Sequence, residues 1–311
     1  MRIGYIGLGR MGKNMVLHLL EQGIEVVAFN RSKEPVAEVV RAGAVGAKDL
    51  QDLVSNLESP RIIWLMLPAG EVTDQFIDQL LPLLNPGDIL IEGANSFYED
   101  TLKRNKKITA KGIHFMDIGV SGGPGGARVG ACLMIGGSEE DFQRIEPIVK
   151  ATAAPNSYQH LGQIGAGHFA KMVHNGIEYG IMEALGEGLA VLKNSPFKYD
   201  FVKVLDIYNH RSVIESRLVG WAQNAFKEDP NLENTSSQIG SGGTGAQRIP
   251  GEADWTLEVA KELGIETPVI EEAIRIREES ANIEENSPNG FRNKVVSALR
   301  GQFGHHAVKK Q

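Results

Sequence analysis

The stretch Arg2-Ile-Gly-Tyr-Ile-Gly7-Leu8-Gly9-Arg10-Met11-Gly12 decides the fold of the first half of the chain. An apolar run typical of a strand enters a G-x-G-x-x-G pattern, and Met11–Gln22 follows with helical spacing. The first glycine allows a tight turn, the second lets backbone amides approach a pyrophosphate, and the third lets helix and strand pack closely. The pattern alone is weak evidence. With a strand before it, a helix after it and a second strand ending about 20 residues on, it predicts a dinucleotide site.

The end of that second strand indicates which dinucleotide is bound. An acidic residue there would bind the ribose 2′-hydroxyl of NAD and repel a 2′-phosphate. This chain has Asn30-Arg31-Ser32 instead. A guanidinium can pair with a phosphate dianion, and Asn30 and Ser32 can add neutral hydrogen bonds. The sequence therefore favours NADP, with NAD possible; the alternative is that Arg31 is a solvated turn residue.

Strands and helices alternate over the first 150 residues, which predicts an α/β fold: a Rossmann, doubly wound, mainly parallel sheet with helices on both faces. The predicted strands are Ile3–Ile6, Glu25–Phe29, Ile62–Leu67, Ile89–Glu92, His114–Asp117 and Leu133–Gly137. The glycine-rich run Gly119–Gly126 is predicted to be a loop.

From His168 onward the apolar spacing is helical, which predicts a second, all-α domain. Its predicted helices cover residues 168–193, 199–209, 212–226, 253–263, 268–282 and 288–300. We expect a Rossmann NAD(P)-binding domain over residues 1–163 and a helical substrate and dimerisation domain over 164–311. The polar segment Asn231–Gly251 is expected to form a long surface loop.

Composition excludes several classes of protein. The net charge of −7 over 311 residues argues against a broad nucleic-acid surface. No segment has the length of a membrane span, and the single cysteine, Cys132, fits a reducing cytoplasm. His305-His306 lacks a nearby carboxylate or cysteine, so we expect no metal site.

One predicted helix carries reactive side chains on a single face. Lys171, His174, Asn175 and Glu178 stand at positions i, i+3, i+4 and i+7. A lysine whose pKa is lowered can take the proton of a secondary alcohol during hydride transfer, and once protonated it can polarise the resulting ketone. If the product is a β-keto acid, carbon dioxide leaves and a carboxylic acid such as Glu178 can protonate the enediol. The alternative is a solvent-exposed polar stripe.

The run Lys171-Met-Val-His-Asn-Gly-Ile-Glu-Tyr179, preceded by Gly165-Ala-Gly-His168, resembles the signature of the 6-phosphogluconate dehydrogenases, a family of decarboxylating β-hydroxyacid dehydrogenases. Further matches are Gly7–Gly12, Glu92-Gly-Ala-Asn95-Ser96, Ser121-Gly122-Gly123 and Arg300-Gly-Gln-Phe303-Gly-His-His306. Together they span essentially the whole chain, whose length resembles the short bacterial form.

The resemblance implies oxidative decarboxylation of 6-phosphogluconate to ribulose 5-phosphate, in the pentose phosphate pathway or in gluconate utilization. It implies Lys171 as base and then acid, and Glu178 as proton donor to the enediol. Substrate-binding residues implied by it are Asn95, Ser121, Gly122, Gly123, His174, Asn175, Tyr179, Arg300 and His306. Leu67-Pro68-Ala69 and Asn95 would lie along the nicotinamide. Tyr179 would reach the phosphate, and Arg300 and His306 would come from the neighbouring subunit of a homodimer or dimer of dimers.

Two positions depart from the family pattern. The family usually has a cation before Trp-Thr in a glycine-rich loop, where this chain has Asp254, and many members have an arginine where this chain has Glu215. An acid near the substrate phosphate would repel it. 6-Phosphogluconate stays the first choice, and another aldonate stays open.

Other activities also fit parts of the pattern. A non-decarboxylating 3-hydroxyacid dehydrogenase would share Lys171 but would not need His174 and Glu178. An imine reductase shares the architecture but would not need Lys171. A dinucleotide-binding sensor or scaffold without turnover is the alternative from another class.

Overall fold

The computed structural model describes residues 1–240, 250–304 and 308. Contacts divide the chain into two units, Met1–Met172 and Val173–Gln311. This division falls inside a long helix, whereas the boundary expected from the sequence precedes that helix. In the described residues, no helix is both long and apolar enough to cross a membrane.

The first unit is built on one sheet with helices on both faces. Its strands are β1 Arg2–Ile6, β2 Glu25–Phe29, β3 Val45–Gly46, β4 Ile62–Leu65, β5 Ile89–Glu92, β6 His114–Ser121, β7 Ala131–Gly136 and β8 Ala153–Gly162. Their order is β3-β2-β1-β4-β5-β6-β7-β8, and every neighbouring pair is parallel except β6 with β7. The predicted Rossmann, mainly parallel sheet is therefore confirmed.

The helices of this unit bury one hydrophobic core on each face of the sheet. They are α1 Arg10–Glu21, α2 Lys33–Arg41, α3 Leu50–Ser55, α4 Glu71–Leu80, α5 Tyr98–Thr109, α6 Gly123–Val129 and α7 Glu139–Thr152. One core packs Met15 and Leu19 of α1 against Tyr5 and Trp64. The other includes Leu53 of α3. Side chains alternate between the faces along each strand, so both faces of the sheet are buried.

The second unit is helical, as expected. The long helix α8, Ala166–Lys193, leads into it; the others are α9 Phe201–Tyr208, α10 Arg217–Glu228, α11 Glu252–Glu262, α12 Pro268–Glu279 and α13 Pro288–Gly304, with a short 3-10 helix at Ser280–Asn282. Its core includes Met182 of α8 and the stacked rings of Phe201 and Phe226.

Several predicted elements were wrong or missed. Gly119–Gly126 is not a loop: β6 runs to Ser121, and α6 begins at Gly123 with a proline in its first turn, where a missing N–H does no harm. The strands β3 and β8 and the helix α3 were missed. β8 is largely polar, with an exposure pattern that lacks regular alternation, so its sequence gives no strand signal.

The segment before α10 also differs from expectation. A helix was predicted from residue 212, but α10 begins at Arg217 because the hydroxyl of Ser216 accepts the Val219 N–H and caps the helix there. The expected surface loop Asn231–Gly251 was only partly right. In its described part, Leu232 and Ile239 are 0% and 2% exposed and belong to the helical core.

Leu53 tests the missed helix α3. Leu53→Ala leaves a cavity in a fully buried position, so we expect a loss of about 2–5 kcal/mol in the free energy of unfolding. Leu161→Ala is the matched control, because Leu161 belongs to the same unit and is 44% exposed. Urea denaturation followed by circular dichroism measures both. Equal losses in the two variants would contradict the position of α3.

Candidate functional site

The residues predicted to bind the dinucleotide lie at one edge of the sheet. Gly7 follows β1, Asn30 follows β2, Met66 follows β4 and Gly93 follows β5. These strands are parallel neighbours, so their carboxyl ends meet at the same edge. Ligands of open α/β sheets bind at this edge.

The glycine turn has the geometry that dinucleotide binding requires. A Cβ on Gly12 would lie 2.0 Å from the Gly7 carbonyl oxygen, so only glycine lets α1 approach the turn this closely. A Cβ on Gly9 would meet nothing within 4 Å. Gly9 opens α1, and its open side leaves room for a ligand at the helix N-terminus. Arg10 is exposed beside it, whereas Leu8 is buried and Met11 partly buried.

The three residues after β2 have different roles. The Asn30 side chain connects two loops: its Oδ1 accepts the Leu8 N–H at 2.9 Å, and its Nδ2 donates to the Ser32 carbonyl at 3.1 Å. Arg31 and Ser32 are exposed. Asn30 thus fixes the glycine turn against β2, and the exposed guanidinium of Arg31 is available to a ligand.

A buried arginine, missed in the sequence, connects the next two loops. Arg104 of α5 donates from Nη1 to Glu92 Oε1 at 2.7 Å and to Ser96 Oγ at 2.9 Å. Its Nε donates to Asp74 Oδ1 at 2.7 Å, and its Nη2 to the Gly70 carbonyl at 3.2 Å. Burial alone would lower the pKa of this guanidinium, but the bond to Asp74 and the charge of Glu92 raise its pKa above its usual value.

Lys171 is held against the sheet at Gly119 of β6. A Cβ on Gly119 would lie 2.4 Å from the Lys171 Cβ, so a side chain there is incompatible with this position of α8. Lys171 is 6% exposed. The predicted reactive lysine is therefore buried and not part of a solvated stripe.

Asp117 anchors the beginning of α8. Its two carboxylate oxygens accept the N–H groups of Gly165 and His168, each at 2.7 Å, and the residue is fully buried. A carboxylate at a helix N-terminus is stabilised by the helix dipole. The side chain of the same His168 is also held, because its Nδ1 lies 2.7 Å from Thr101 Oγ1. Asp117 and His168 were not predicted as site residues; a lone acid ending a strand is too weak a signal.

Ser121, Gly122 and Gly123 form the junction between β6 and α6. All three are partly exposed, and Gly122 has φ of 117°, which favours glycine. The amides of this turn open a helix, a position suited to an anionic group such as a carboxylate.

The later turns of α8 carry the other predicted polar residues. His174 Nδ1 lies 3.0 Å from Asn175 Oδ1 and 3.7 Å from Glu178 Oε2. His174 and Glu178 side chains are 37% and 21% exposed, so both are accessible while partly shielded. These three residues therefore form one polar cluster within the second unit.

Beside them lies a cluster of two arginines around Tyr179. The Arg277 guanidinium of α12 stacks on the Tyr179 ring, with its Cζ 3.3 Å from the ring centroid, and its Nε donates to Glu183 Oε1 at 3.2 Å. Arg277 Nη2 is buried and has no hydrogen-bond partner among the residues that the structure describes. Arg300 is close enough to be affected: burial lowers the pKa of its guanidinium, and the positive charge of Arg277 adds to this. Burial also raises the pKa of Glu183.

Arg277 was missed in the sequence, because an arginine within a run of charged helical residues resembles a solvated face. Tyr179 and Arg300, which were predicted, are brought together within one chain. His306 lies outside the described residues. Among the residues that are described, no three His, Cys, Asp or Glu side chains are grouped as metal ligands.

The two acids at positions where the family has cations are used locally. Asp254 Oδ2 accepts the Gly251 N–H at 2.8 Å and so stabilises the start of α11. Glu215 Oε2 accepts the Arg211 N–H at 2.8 Å in the exposed segment before α10.

The sheet, its glycine turn and the buried lysine define a class: a Rossmann oxidoreductase that uses a nicotinamide dinucleotide. Comparisons with known proteins give the family. The NAD binding domain of 6-phosphogluconate dehydrogenase matches residues 2–165, and the C-terminal domain of 6-phosphogluconate dehydrogenase matches residues 167–295.

Similar proteins agree with these matches. A putative 6-phosphogluconate dehydrogenase, YqeC, of Bacillus subtilis is 41% identical over the full length of both chains. An NAD(+)-dependent, decarboxylating 6-phosphogluconate dehydrogenase of Haloferax volcanii is 36% identical over 100% of this chain and 99% of its own. The solved 6-phosphogluconate dehydrogenase of Plasmodium falciparum, described with NADP+ and with 6-phosphogluconate, has a TM-score of 0.79 at 31% identity, covering 96% of this chain and 70% of that one. The chain belongs to the 6-phosphogluconate dehydrogenase family.

The glycine turn gives a test that separates binding from folding. Gly9→Ala should leave the free energy of unfolding within about 1 kcal/mol, because its Cβ meets no atom of the described residues within 4 Å. It should weaken NADPH binding at least about tenfold by filling the space needed for the pyrophosphate. Gly12→Ala should destabilise the fold instead, since its Cβ meets a backbone oxygen. Fluorescence titration and thermal unfolding measure the two effects; unchanged NADPH affinity in Gly9→Ala would contradict the assignment.

Proposed function

We propose that the protein catalyses the oxidative decarboxylation of 6-phosphogluconate to ribulose 5-phosphate and carbon dioxide, with reduction of NADP. The single observation that carries this proposal is the burial of Lys171 against Gly119 of β6, in the unit that contains the glycine turn. Glu178 lies two turns further along the same helix. Relatives along the full chain length support it by their names.

In the proposed reaction, neutral Lys171 takes the proton of the C3 hydroxyl as the C3 hydride leaves. The bound nicotinamide serves as the hydride acceptor. The product is a 3-keto acid, and the Lys171 ammonium now donates a hydrogen bond to the ketone oxygen. The bond between C1 and C2 breaks and its electrons form the C2–C3 double bond of an enediol, while the ketone oxygen takes the proton of the Lys171 ammonium and carbon dioxide leaves. Glu178 then delivers a proton to C2 while Lys171 takes back the proton of the C3 hydroxyl, which gives the ketopentose.

The remaining polar residues implied by the resemblance would hold the substrate. We assign the carboxylate to the amides and hydroxyl of Ser121, Gly122 and Gly123, and the sugar hydroxyls to Asn95, His174 and Asn175. The His174 contact with Glu178 supports a shared proton network at that position.

Two arginines support a phosphorylated substrate. Arg277 and Arg300 bring two positive charges beside Tyr179, and within the described part of the chain one buried Arg277 nitrogen lacks a hydrogen-bond partner. Such a nitrogen can bind a phosphate oxygen with a charge-assisted hydrogen bond. Because Asp254 and Glu215 are engaged in backbone hydrogen bonds, we do not count them as part of the phosphate site.

The exposed Arg31 supports NADP over NAD, since it can pair with the 2′-phosphate. We further propose, on the resemblance, that the protein is a cytoplasmic homodimer or dimer of dimers in which His306 completes the neighbouring site. The resemblance implies the same for Arg300, but because Arg300 lies near Tyr179 of its own chain we assign it to the phosphate site of that chain. Size-exclusion chromatography with light scattering tests the subunit number.

Substitutions on α8 test the chemistry. Lys171→Met should lower kcat about 10²–10⁴-fold, because both the base and the acid of the proposed steps are lost. Glu178→Gln should lower the steady-state formation of ribulose 5-phosphate by about 10²-fold or more, because the proton donor to the enediol is lost. Neither change should alter the Kd of NADPH by more than about twofold. Wild-type assays with NADP and NAD, with carbon dioxide measured alongside, provide the reference.

These assays also separate the alternatives. Dinucleotide reduction without carbon dioxide would replace the proposal with a non-decarboxylating 3-hydroxyacid dehydrogenase. Tight NADPH binding without turnover of any aldonate would indicate a sensor or scaffold.

Arg277 tests the phosphate assignment. Because Arg277→Met alone would leave Glu183 buried without its cation, the substitution is made together with Glu183→Gln and compared with Glu183→Gln alone. We expect the KM for 6-phosphogluconate to rise about 10–100-fold while the KM for gluconate stays unchanged. Arg275→Met, on the exposed side of the same helix, is the matched control. A wild-type preference for gluconate would contradict a phosphorylated substrate.

A further inference from the structure

Arg104 contacts two loops at the carboxyl edge of the sheet. The first loop follows β4, covers residues 66–70 and ends at Gly70, whose carbonyl accepts from Arg104. The second follows β5, covers residues 93–97 and contains Ser96, whose hydroxyl accepts from Arg104 and donates to Glu92 in a short hydrogen bond. A single planar guanidinium thus sets the spacing between the two loops.

These loops carry the residues assigned to the nicotinamide. Leu67-Pro68-Ala69 lies directly before Gly70, and Asn95 lies directly before Ser96. Asn95 is exposed, while Ala94 and Ser96 on either side of it are 2% and 3% exposed. The buried neighbours fix the backbone so that the exposed Asn95 side chain has a defined position.

The arginine is more than a surface ion pair. Arg104 is 4% exposed and Glu92 is fully buried, and no described residue bonds to the second oxygen of Glu92. A buried ion pair is often no more stabilising than apolar residues of similar size, since desolvation offsets the attraction. Its directed hydrogen bonds do fix geometry, because the guanidinium donates along defined directions to Glu92, Ser96 and Gly70.

We propose that Arg104 is a positioning residue for hydride transfer. It holds the loops of residues 66–70 and 93–97 at a fixed spacing, and through them it orients the nicotinamide ring toward the reacting carbon. This inference rests on the proposed function, and on the family resemblance for the identity of the residues along the nicotinamide.

The test is Arg104→Lys, which keeps a positive charge beside Glu92 but cannot donate in the same four directions. We expect kcat to fall about 10–100-fold, as a displacement near 1 Å at a reacting centre does. The deuterium isotope effect with 6-phosphogluconate deuterated at C3 should rise as hydride transfer becomes slower. The Kd of NADPH should rise by about threefold or more, because the nicotinamide half is held less well.

Arg61→Lys is the matched control. Arg61 pairs with Asp88, which is 1% exposed, at the amino end of the same strand that Glu92 ends. It tests the effect of weakening a buried arginine pair away from the carboxyl edge. We expect the free energy of unfolding to fall in both variants and the isotope effect to rise only in Arg104→Lys.

Ser96→Ala is the second variant, for use if Arg104→Lys does not fold. It removes the hydrogen bonds of the Ser96 hydroxyl with Arg104 and Glu92 and leaves the bonds from Arg104 to Glu92 and Gly70 in place. It should lower kcat and raise the isotope effect, each by a smaller factor than Arg104→Lys. An unchanged isotope effect in the folded variant, or equal losses of kcat in Arg104→Lys and Arg61→Lys, would overturn the inference.

The proposed function and the inference fail in different ways. Wild-type protein that does not oxidise 6-phosphogluconate would contradict the function. NADPH binding then decides the inference: weaker binding in Arg104→Lys than in Arg61→Lys supports it, and equal binding overturns it.

Discussion

The buried carboxylate of Asp117 is the interaction on which the chemistry of the first unit depends. It accepts two N–H groups at the start of α8 and so fixes that helix to β6. Each charge-assisted bond contributes about 1.5–3 kcal/mol. Two residues along β6, the missing side chain of Gly119 gives Lys171 its place. The position of the amine is thus set by one strand.

The same principle applies around the edge of the sheet. Asn30 joins the glycine turn to the end of β2, and Arg104 joins the loops after β4 and β5. In each case a buried or half-buried polar side chain bonds to loop atoms, which leaves neighbouring residues such as Arg31 and Asn95 exposed to a ligand. A parallel sheet brings strand ends together, but it does not fix the loops that follow them. Hydrogen bonds from side chains supply that second level of order.

The sequence predicts the features that depend on local patterns. The glycine turn, the alternation of strands and helices, and the polar face of α8 all follow from spacing, and family resemblance points to Tyr179 and Arg300. Asp117, Arg104 and Arg277 could not be found this way, because each acts on residues distant in sequence, as Arg277 does on Glu183. β8 and the start of α10 failed for a related reason. The polar strand β8 is defined by its pairing with β7, and the start of α10 is defined by the hydroxyl of Ser216. Neither interaction leaves a periodic pattern in the sequence.

The charged residues of the second unit show that the effect of a charge on a binding site depends on its hydrogen-bond partners and not on its sequence position alone. By position in the sequence, Asp254 and Glu215 argue against a phosphate site, yet each carboxylate accepts a backbone N–H. Burial lowers the pKa of Arg300, and repulsion by the nearby positive charge of Arg277 lowers it further. Binding of a dianion beside Tyr179 is favourable for this pair of arginines, because the dianion offsets both positive charges at once. Glu183 offsets only part of that charge, since it accepts from Arg277 Nε and leaves Nη2 without a hydrogen-bond partner in residues 1–240, 250–304 and 308.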